Sequence, residues 1–555
     1  MKLRVIGLLL LLFPLLAWAT PLKPGHDAVA SAQPFATQVG MQVMAEGGNA
    51  FDAAVAVSAA LSVVEPYSSG IGGGGFWLLH DAATGKGIVV DGREYAPAAA
   101  TATMYQDKNG NVIPDGSLNG PLSAAIPGEV AALVYINQHY GKLSLAQDLA
   151  PAIKLARDGF PLDRRFHEML ASRADKLKQW PAAWKVFYPN GQVPPEGYLL
   201  KQPDLANTLE LIARHGAAAF YTGALAKQMV DAVRAAGGIW SLDDLHDYQI
   251  KLRTPLTGDY RGMKIITVPP PSSGGIVMLE ALNILSGYDL AQDSELMQKH
   301  LVIEAMRFAF RDRAEYLGDP DFVRMPLQRL LSPYYAAGLR ASILPDKATP
   351  SNELAPVTPE APESQHTTSI AVMDGSGNLV GGTFTVNFRF GSGFMPPGTG
   401  VILNDEMDDF VSKPGVPNGF GLVGNSANEI APHKRPLSSM MPTFLYTRRG
   451  LAILGTPGGS RIISMVLLGT LNYFNGGDAQ SIVSLPRYHM QYLPDVVFYE
   501  PGAFTADEIT GLGKMGYTLK EIHPYGNMQS ITWDYRSGKV SAAADPRDIG
   551  TAEVK

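Results

Sequence analysis

From residue 35 to 46 the apolar side chains recur at the spacing of one helical face, and Gly47-Gly48 ends the run. Asn49, with Asp52 three positions on, can cap a second helix. That second stretch, 50–64, is almost wholly Ala, Val and Ser. A helix apolar on every side has no solvent face, so this one is predicted to lie buried between layers. The chain then passes through Glu65-Pro66-Tyr67-Ser68-Ser69 into the glycine-rich 70–75, followed by apolar runs at 76–80 and 87–91 that read as strands joined by a polar turn. Residues 70–75 carry the glycine spacing of a dinucleotide-binding loop. They follow a helix and open a strand, however, the reverse of what such a loop needs, so tight backbone packing is the better reading.

Between 127 and 341 the period is mostly helical, with helices predicted near 128–139, 145–157, 203–214, 224–236 and 298–316, interrupted by the proline-rich loop 269–275. From Pro345 the character changes. Five prolines punctuate a polar stretch without periodicity up to residue 366, which is expected to be mobile and exposed because it has little apolar surface to bury. Order resumes abruptly at Thr367: 367–373 and 379–387 are rich in Thr, Val and Ile, and the turn 374–378 between them makes a β-hairpin. A flexible segment ending at the first residue of a strand is the pattern of a self-cleaving precursor, although linkers of this kind more often separate domains.

The N-terminus changes the picture of where the protein works. Lys2 and Arg4 precede an apolar run over 5–16 that ends in Ala17-Trp18-Ala19, a signal-peptidase site, so residues 1–19 read as a signal peptide and the mature protein as periplasmic or secreted. The run is broken by Pro14 and is too short for a retained span, so no membrane anchor is expected after cleavage. The absence of cysteine excludes thiol nucleophiles, disulfides, thiolate zinc sites and a lipoprotein anchor. A net charge of −7 with no basic run gives no footprint for nucleic acid.

No Gly-x-Ser-x-Gly elbow, HExxH helix, phosphate loop or calcium loop occurs, so neither a metal nor a cofactor is called for. Polar groups instead concentrate in the last third: Thr367-Thr368-Ser369, Thr385-Val386-Asn387, Asn404 to Asp409, Lys434 to Met440, and Thr456-Pro457-Gly458-Gly459-Ser460-Arg461. Taken singly, each is ordinary strand or turn usage. Their order is not ordinary. GGNAFDAAVAVSAALSVVEPYSSGIGGGGF, DGREYAP, PPPSSGG, TTSIAVMDGSGN, TFTVN, NDEMDDF, KPGVPNGFGLVG, KRPLSSMMPT, TPGGSRI and LPRYHMQYLPD, spread over nearly the whole chain, resemble the blocks of the gamma-glutamyltranspeptidases in that family's order.

The resemblance implies an α+β fold, the four-layer αββα sandwich of N-terminal-nucleophile hydrolases. It implies cleavage between His366 and Thr367 into a large subunit, 20–366, and a small catalytic subunit, 367–555, which pair as a heterodimer forming one structural unit. Thr367 would be the nucleophile. A threonine hydroxyl is weak alone, but cleavage frees an α-amino group on the same residue, with a reference pKa near ~8, that can take its proton. Thr385 would orient that hydroxyl, and the backbone N–H groups of Gly458 and Gly459 would hold the oxyanion. Arg93, with Ser438 and Ser439, would bind the donor's α-carboxylate; Asn387, Glu406 and Asp409 would bind its α-ammonium. Phe420 would sit on a lid over 414–424. The implied substrates are γ-glutamyl compounds such as glutathione, and the acceptors amino acids, peptides or water. Three positions depart from common family usage: Ser369 replaces a frequent His, Glu406 replaces the Gln of many bacterial relatives, and Phe420 replaces a Tyr. A glutaryl or cephalosporin acylase, a pure hydrolase and an exported binding protein are the competing readings; the acylase has no need of the acidic pair Glu406 and Asp409, and the binding protein predicts an uncut chain.

Overall fold

The computed structural model describes residues 23–354 and 367–555. The expected signal peptide, His366 and the end of the segment before Thr367 lie outside the described residues.

Two antiparallel sheets form the centre. The first has seven strands in the order Thr551–Val554, Ala28–Ser31, Thr368–Met373, Leu379–Thr385, Gly74–Asp81, Lys86–Gly92 and Lys251–Arg253. The second has six, in the order Val540–Ala544, Gln529–Asp534, Gly450–Gly455, Thr443–Tyr446, Met263–Thr267 and Leu256–Tyr260. The alternation of side chains along each strand assigns them to two cores. Val29, Trp77, Leu79, Ile370 and Val372 point to one helical layer. Their neighbours Ala28, Ala30, Phe76, Leu78, Ala371 and Met373 point to the second sheet. Small residues set the spacing between sheets: a Cβ on Gly381 would stand 3.0 Å from Pro442, and one on Gly455 would stand 2.3 Å from the Ser369 hydroxyl. The αββα sandwich is therefore the observed architecture.

Helix Ala50–Val64 lies against the first sheet with every residue buried, as its composition requires. Its capping box is complete: the Asn49 side chain accepts from the N–H groups of Phe51 and Asp52, and the Asp52 carboxylate accepts from the Asn49 N–H at 2.8 Å. Each fully buried Val or Leu on it contributes roughly 1.5–3 kcal/mol. Asp374, in the hairpin turn, also accepts from the Ala50 N–H at 3.0 Å, tying the turn to the helix start.

Helices Gly274–Leu285 and Arg461–Phe474 cover the outer face of the second sheet. Neither was predicted from the sequence, nor were Arg164–Leu177 and Pro333–Ser342, although Arg164–Leu177 and Arg461–Phe474 carry a helical period. The proline-rich loop 269–275 is shorter than expected, because its glycines already begin a helix: a Cβ on Gly275 would stand 2.4 Å from the Val268 carbonyl, so close packing rather than flexibility explains them. The stretch from Pro345 also departs from expectation at its start. Ala348 donates its N–H to Met515, and buried Ser351 meets the Arg307 guanidinium and donates its N–H to Asp495, so residues up to Leu354 pack on the body. Hydrogen bonding, which composition does not report, overrides the low apolar content there.

Candidate active site

Thr367 stands immediately before the strand Thr368–Met373, in the middle of the first sheet. The hairpin register pairs Thr368 with Phe384, which sets Thr385 alongside Thr367 at the same sheet end. On the other side of Thr385 lies Gly74, opening the neighbouring strand. The glycines before it are there for the backbone's sake: a Cβ on Gly72 would lie 2.0 Å from the Ile402 carbonyl, and one on Gly73 2.0 Å from that of Thr385. The tight-packing reading of 70–75 holds.

Thr367 is only 6% exposed and faces a cleft also lined by Arg93, Thr385, Asn387, Glu406, Asp409, Phe420, Ser438, Ser439 and Gly459. The sequence brought all of these forward. Met440, Leu422, Ser460 and Ile462 line it too and were missed, because apolar residues and a serine in a turn carry no chemical signal. Gly458 is not among the lining residues; a Cβ there would press on Met465 instead. Ser369 points away, into the contact between sheets, donating to the Gly382 carbonyl at 3.0 Å.

Each wall of the cleft has its own anchor. Asn387 adopts a left-handed backbone, φ 74°, uncommon for a residue with a Cβ, and this is why the strand stops at Thr385. Its N–H donates to the Thr385 Oγ1 at 2.8 Å and its side-chain amide to the Asp405 carbonyl at 2.9 Å. The 3-10 turn Glu406–Asp409 hangs from buried Asn404, whose amide donates to the carbonyls of Gly72 and Ala125 while its oxygen accepts from Ala125 and Glu406. Ser438 is held by the proline-rich loop: its N–H donates to Pro271, and its carbonyl accepts from both the N–H and hydroxyl of Ser273.

Arg93 follows the end of strand Lys86–Gly92 and is fully buried. Its Nε donates to the Pro436 carbonyl at 3.2 Å, and its two terminal nitrogens pair with Glu406 and Asp409. Glu94, also fully buried, lies 3.6 Å from the nitrogen that meets Glu406, so one guanidinium and three acidic side chains form an internal ion-pair cluster. Burial tends to discharge the guanidinium, but Glu406 and Asp409 hold it firmly protonated. Burial pushes the Glu406 carboxyl well above the usual carboxylate range, with Arg93 pulling the other way.

The loop 414–424, the expected lid, lies over the cleft through Phe420 and Leu422. Gly415 donates to Gly424 and Asn418 to Leu422, so it is itself a tight loop, and Asp408 fastens it through the Gly419 N–H at 2.9 Å. Phe420, 5% exposed, stacks on Phe388 with ring centroids 4.6 Å apart and covers Gly459, whose added Cβ would meet the ring at 2.5 Å. The open space left inside is about 20 Å³, room for roughly one water.

A threonine heading a central strand of an αββα sandwich, beneath a closed polar cleft, defines the class of N-terminal-nucleophile hydrolases. Comparison with known proteins narrows the class. The family model described as Gamma-glutamyltranspeptidase matches residues 36–554, and the chain belongs to that family. The glutathione hydrolase proenzyme of Pseudomonas sp. (strain A14) is 44% identical over 517 residues, covering 92% of this chain and 89% of the relative. That of Escherichia coli (strain K12) is 40% identical over 536 residues, covering 95% and 92%. Among solved structures, a cephalosporin acylase from Bacillus halodurans matches with a TM-score of 0.83 at 29% identity, covering 96% of each chain. Among the described residues no helix is long and apolar enough to cross a membrane.

Proposed function

We propose that this protein is an exported, autoprocessed γ-glutamyltransferase and glutathione hydrolase, with Thr367 as its nucleophile. The observation that carries the reading is the cleft itself, in which Thr367 shares one small space with a cation and two carboxylates. That pairing suits an amide whose acyl part ends in a zwitterion.

In the precursor the Thr367 nitrogen is an amide and cannot act as a base. Cleavage of the His366–Thr367 bond yields the large subunit, 20–366, and the small one, 367–555, and frees the amine. The amine takes the hydroxyl proton as the oxygen attacks the γ-carbonyl carbon, and the N–H groups of Gly458 and Gly459 stabilise the resulting oxyanion. The C–N bond then breaks, the proton leaves with the departing amine, and a γ-glutamyl ester remains on Thr367. Water or the amine of an acceptor amino acid or peptide attacks that ester, returning a proton to the Thr367 oxygen. Arg93, Ser438 and Ser439 hold the α-carboxylate; Asn387, Glu406 and Asp409 hold the α-ammonium; Thr385 orients the nucleophile; Phe420 excludes bulk water. The signal peptide 1–19 delivers the precursor to the periplasm or beyond.

An acylase specificity, as in the name of the B. halodurans neighbour, is the second reading. An acyl chain without an ammonium would leave Glu406 and Asp409 without a role, which favours the γ-glutamyl substrate.

The test is the intact mass of the mature protein and of Thr367→Ala, together with turnover of γ-glutamyl-p-nitroanilide. Two fragments, the smaller starting at Thr367, with turnover in the wild type and one inert chain in the variant, are expected. A wild-type chain that stays whole, or a fragment starting elsewhere, overturns the assignment.

A further inference from the structure

Of the two adjacent acids that end the turn Glu406–Asp409, Asp409 faces the cleft and meets Arg93, while Asp408 points the other way and is 4% exposed. One oxygen of the Asp408 carboxylate accepts from the Ser117 hydroxyl at 2.7 Å, and the other accepts from the Gly419 N–H at 2.9 Å. Its backbone carbonyl accepts from the Asn418 amide at 3.3 Å, and the Asn418 oxygen in turn accepts from the N–H groups of Phe420 and Leu422. Position 419 has no room for a side chain: an added Cβ would stand 2.8 Å from the Asp408 carboxylate and 2.5 Å from the Phe388 ring. One buried acid thus joins the stretch around Ser117, the turn at the cleft wall and the loop 414–424.

The stretch that supplies Ser117 is itself well anchored. Tyr105, 1% exposed, packs with Ala96, Ala100 and Ala125 against Met407 and Phe410, which flank Asp408 in sequence. Its hydroxyl donates to the Leu122 carbonyl at 2.8 Å. Two more bonds reach the base of the loop: the Gln106 amide donates to the Ser412 carbonyl at 2.6 Å, and the Lys413 ammonium donates to the Gly110 carbonyl at 2.9 Å. Under the proposed cleavage, residues 105–117 belong to the large subunit and 406–424 to the small one, so the loop is fastened across the subunit boundary. Burial pushes the Asp408 carboxyl up to about 7, and the Ser117 hydroxyl pulls against it. At about pH 8.5 the group is therefore mostly ionised, and both of its bonds are charge-assisted.

We propose that Ser117 and Asp408 are positioning residues that, through Gly419, hold the 414–424 loop down so that Phe420 stays over Gly459. The proposal rests on the function proposed above, in which Gly459 serves the oxyanion and Phe420 excludes water, and it adds the clamp that sets how often this cover lifts. Neither Ser117 nor Asp408 lines the cleft. Without the Ser117 hydroxyl the carboxylate loses the donor that fixes its orientation, and one buried oxygen is left unsatisfied. Gly419 then loses a fixed acceptor. The contact from the Gln491 amide to the Phe420 carbonyl, at 3.4 Å, is long and a weaker hold.

Chymotrypsin reads the loop directly, because Phe420 is 5% exposed and must leave its place to be cut. At about pH 8.5, cutting after Phe420, followed by intact mass, should be about fivefold or more faster in Ser117→Ala than in wild type, part of the effect of one charge-assisted bond. Cutting after Tyr334, 90% exposed on helix Pro333–Ser342, should not change, which separates a loosened loop from a loosened protein. The kcat/KM for γ-glutamyl-p-nitroanilide should fall about fivefold with Ser117→Ala alone, and by less than about twofold on a Phe420→Ala background, because the clamp acts through that ring. Equal cutting after Phe420 in wild type and variant, or equal kinetic losses with and without the ring, overturns the inference. If Ser117→Ala does not fold, Gln106→Ala, which frees the Ser412 carbonyl, is judged by the same two readouts. Wild-type protein that does not turn over the donor sinks the proposed function itself, and the cutting rates alone then decide the clamp.

Discussion

Replacing Arg93 should damage the protein in two separable ways. It is fully buried and pairs with both Glu406 and Asp409. Arg93→Met leaves Glu406, Asp409 and the neighbouring Glu94 without a cation. Breaking a buried pair from one side costs about 3–5 kcal/mol. The sign of the pH dependence follows from Glu406, whose carboxyl is already pushed up by burial and loses the opposing pull of Arg93. The folded protein would then hold Glu406 protonated where the unfolded chain is ionised, so the stability that proton uptake supports is present at low pH and lost as pH rises. The deficit of Arg93→Met should be larger at pH 8 than at pH 5. Urea midpoints by tryptophan fluorescence, on the uncut Thr367→Ala background, measure it. Arg93→Lys keeps the charge but not the fork, so stability should largely survive. Its kcat/KM for γ-glutamyl-p-nitroanilide, measured with Thr367 intact, should nevertheless fall about 10- to 150-fold, one charged hydrogen bond of about 1.5–3 kcal/mol. An Arg93→Met chain with unchanged midpoints at both pH values would refute the reasoning, because the acidic groups around it would then not depend on Arg93.

Three further outcomes are expected. Gly459→Ala, at φ 56° with its Cβ 2.5 Å from the Phe420 ring, should displace the lid and lower kcat/KM by about tenfold, and Phe420→Ala should make the same change nearly silent, as a double-mutant cycle in steady-state kinetics would report. Gly73→Ala puts a Cβ 2.0 Å from the Thr385 carbonyl and should cost more than about 3 kcal/mol or block folding, whereas Gly85→Ala, at φ 67° in open space, should cost only about 1 kcal/mol in thermal unfolding. Burial raises the Glu129 carboxyl from 4.5 to about 8, so its contribution favours folding below pH 4.5 and is lost as pH rises to 8, by at most about 5 kcal/mol; Glu129→Gln should flatten that part of the pH–stability curve in urea titrations.

How much of this was legible depended on whether a residue's reason is local. The helix Ala50–Val64 and its cap were readable because composition and a three-residue spacing carry them. The hairpin around Asp374 was readable for the same reason, alternation and turn chemistry being short-range. Helix Gly274–Leu285 was not, because it begins in glycine directly from a loop and is apolar nearly throughout, leaving little period to detect; Arg461–Phe474 has a period, but it starts straight from the glycine turn 458–460, which was read as a site loop. The site divides the same way. The residues of the cleft were named from a resemblance between blocks, and no spacing rule would have joined Arg93 to Glu406 across 313 positions. A cavity lined by Arg165, Arg173, Arg389, Arg461 and Arg547 escaped sequence reading altogether, since these arginines come from four separate stretches and the net charge of the chain is negative.

The pairing of Arg93 with Glu406 and Asp409 also bears on selectivity. A ligand that enters this cleft must replace an ion pair the protein already makes with itself. A zwitterion can do so without leaving either sign uncovered, because its carboxylate takes the guanidinium as its ammonium takes the two acids. A ligand with only a carboxylate frees buried Glu406 and half-buried Asp409 and leaves them without their cation; one with only an ammonium leaves Arg93 with Glu94, at 3.6 Å, as its remaining acidic neighbour. Each failure carries the penalty of an uncompensated buried charge, several kcal/mol, so discrimination comes from what the wrong ligand exposes as much as from what the right one gains. The space of about 20 Å³ adds a second condition, since nothing of substrate size fits until Phe420 lifts from Gly459. Under the proposed function, charge exchange and opening of the 414–424 loop are then one event, and the zwitterion that best replaces the internal pair is the molecule that keeps the site open long enough for the proposed nucleophile, Thr367, to react.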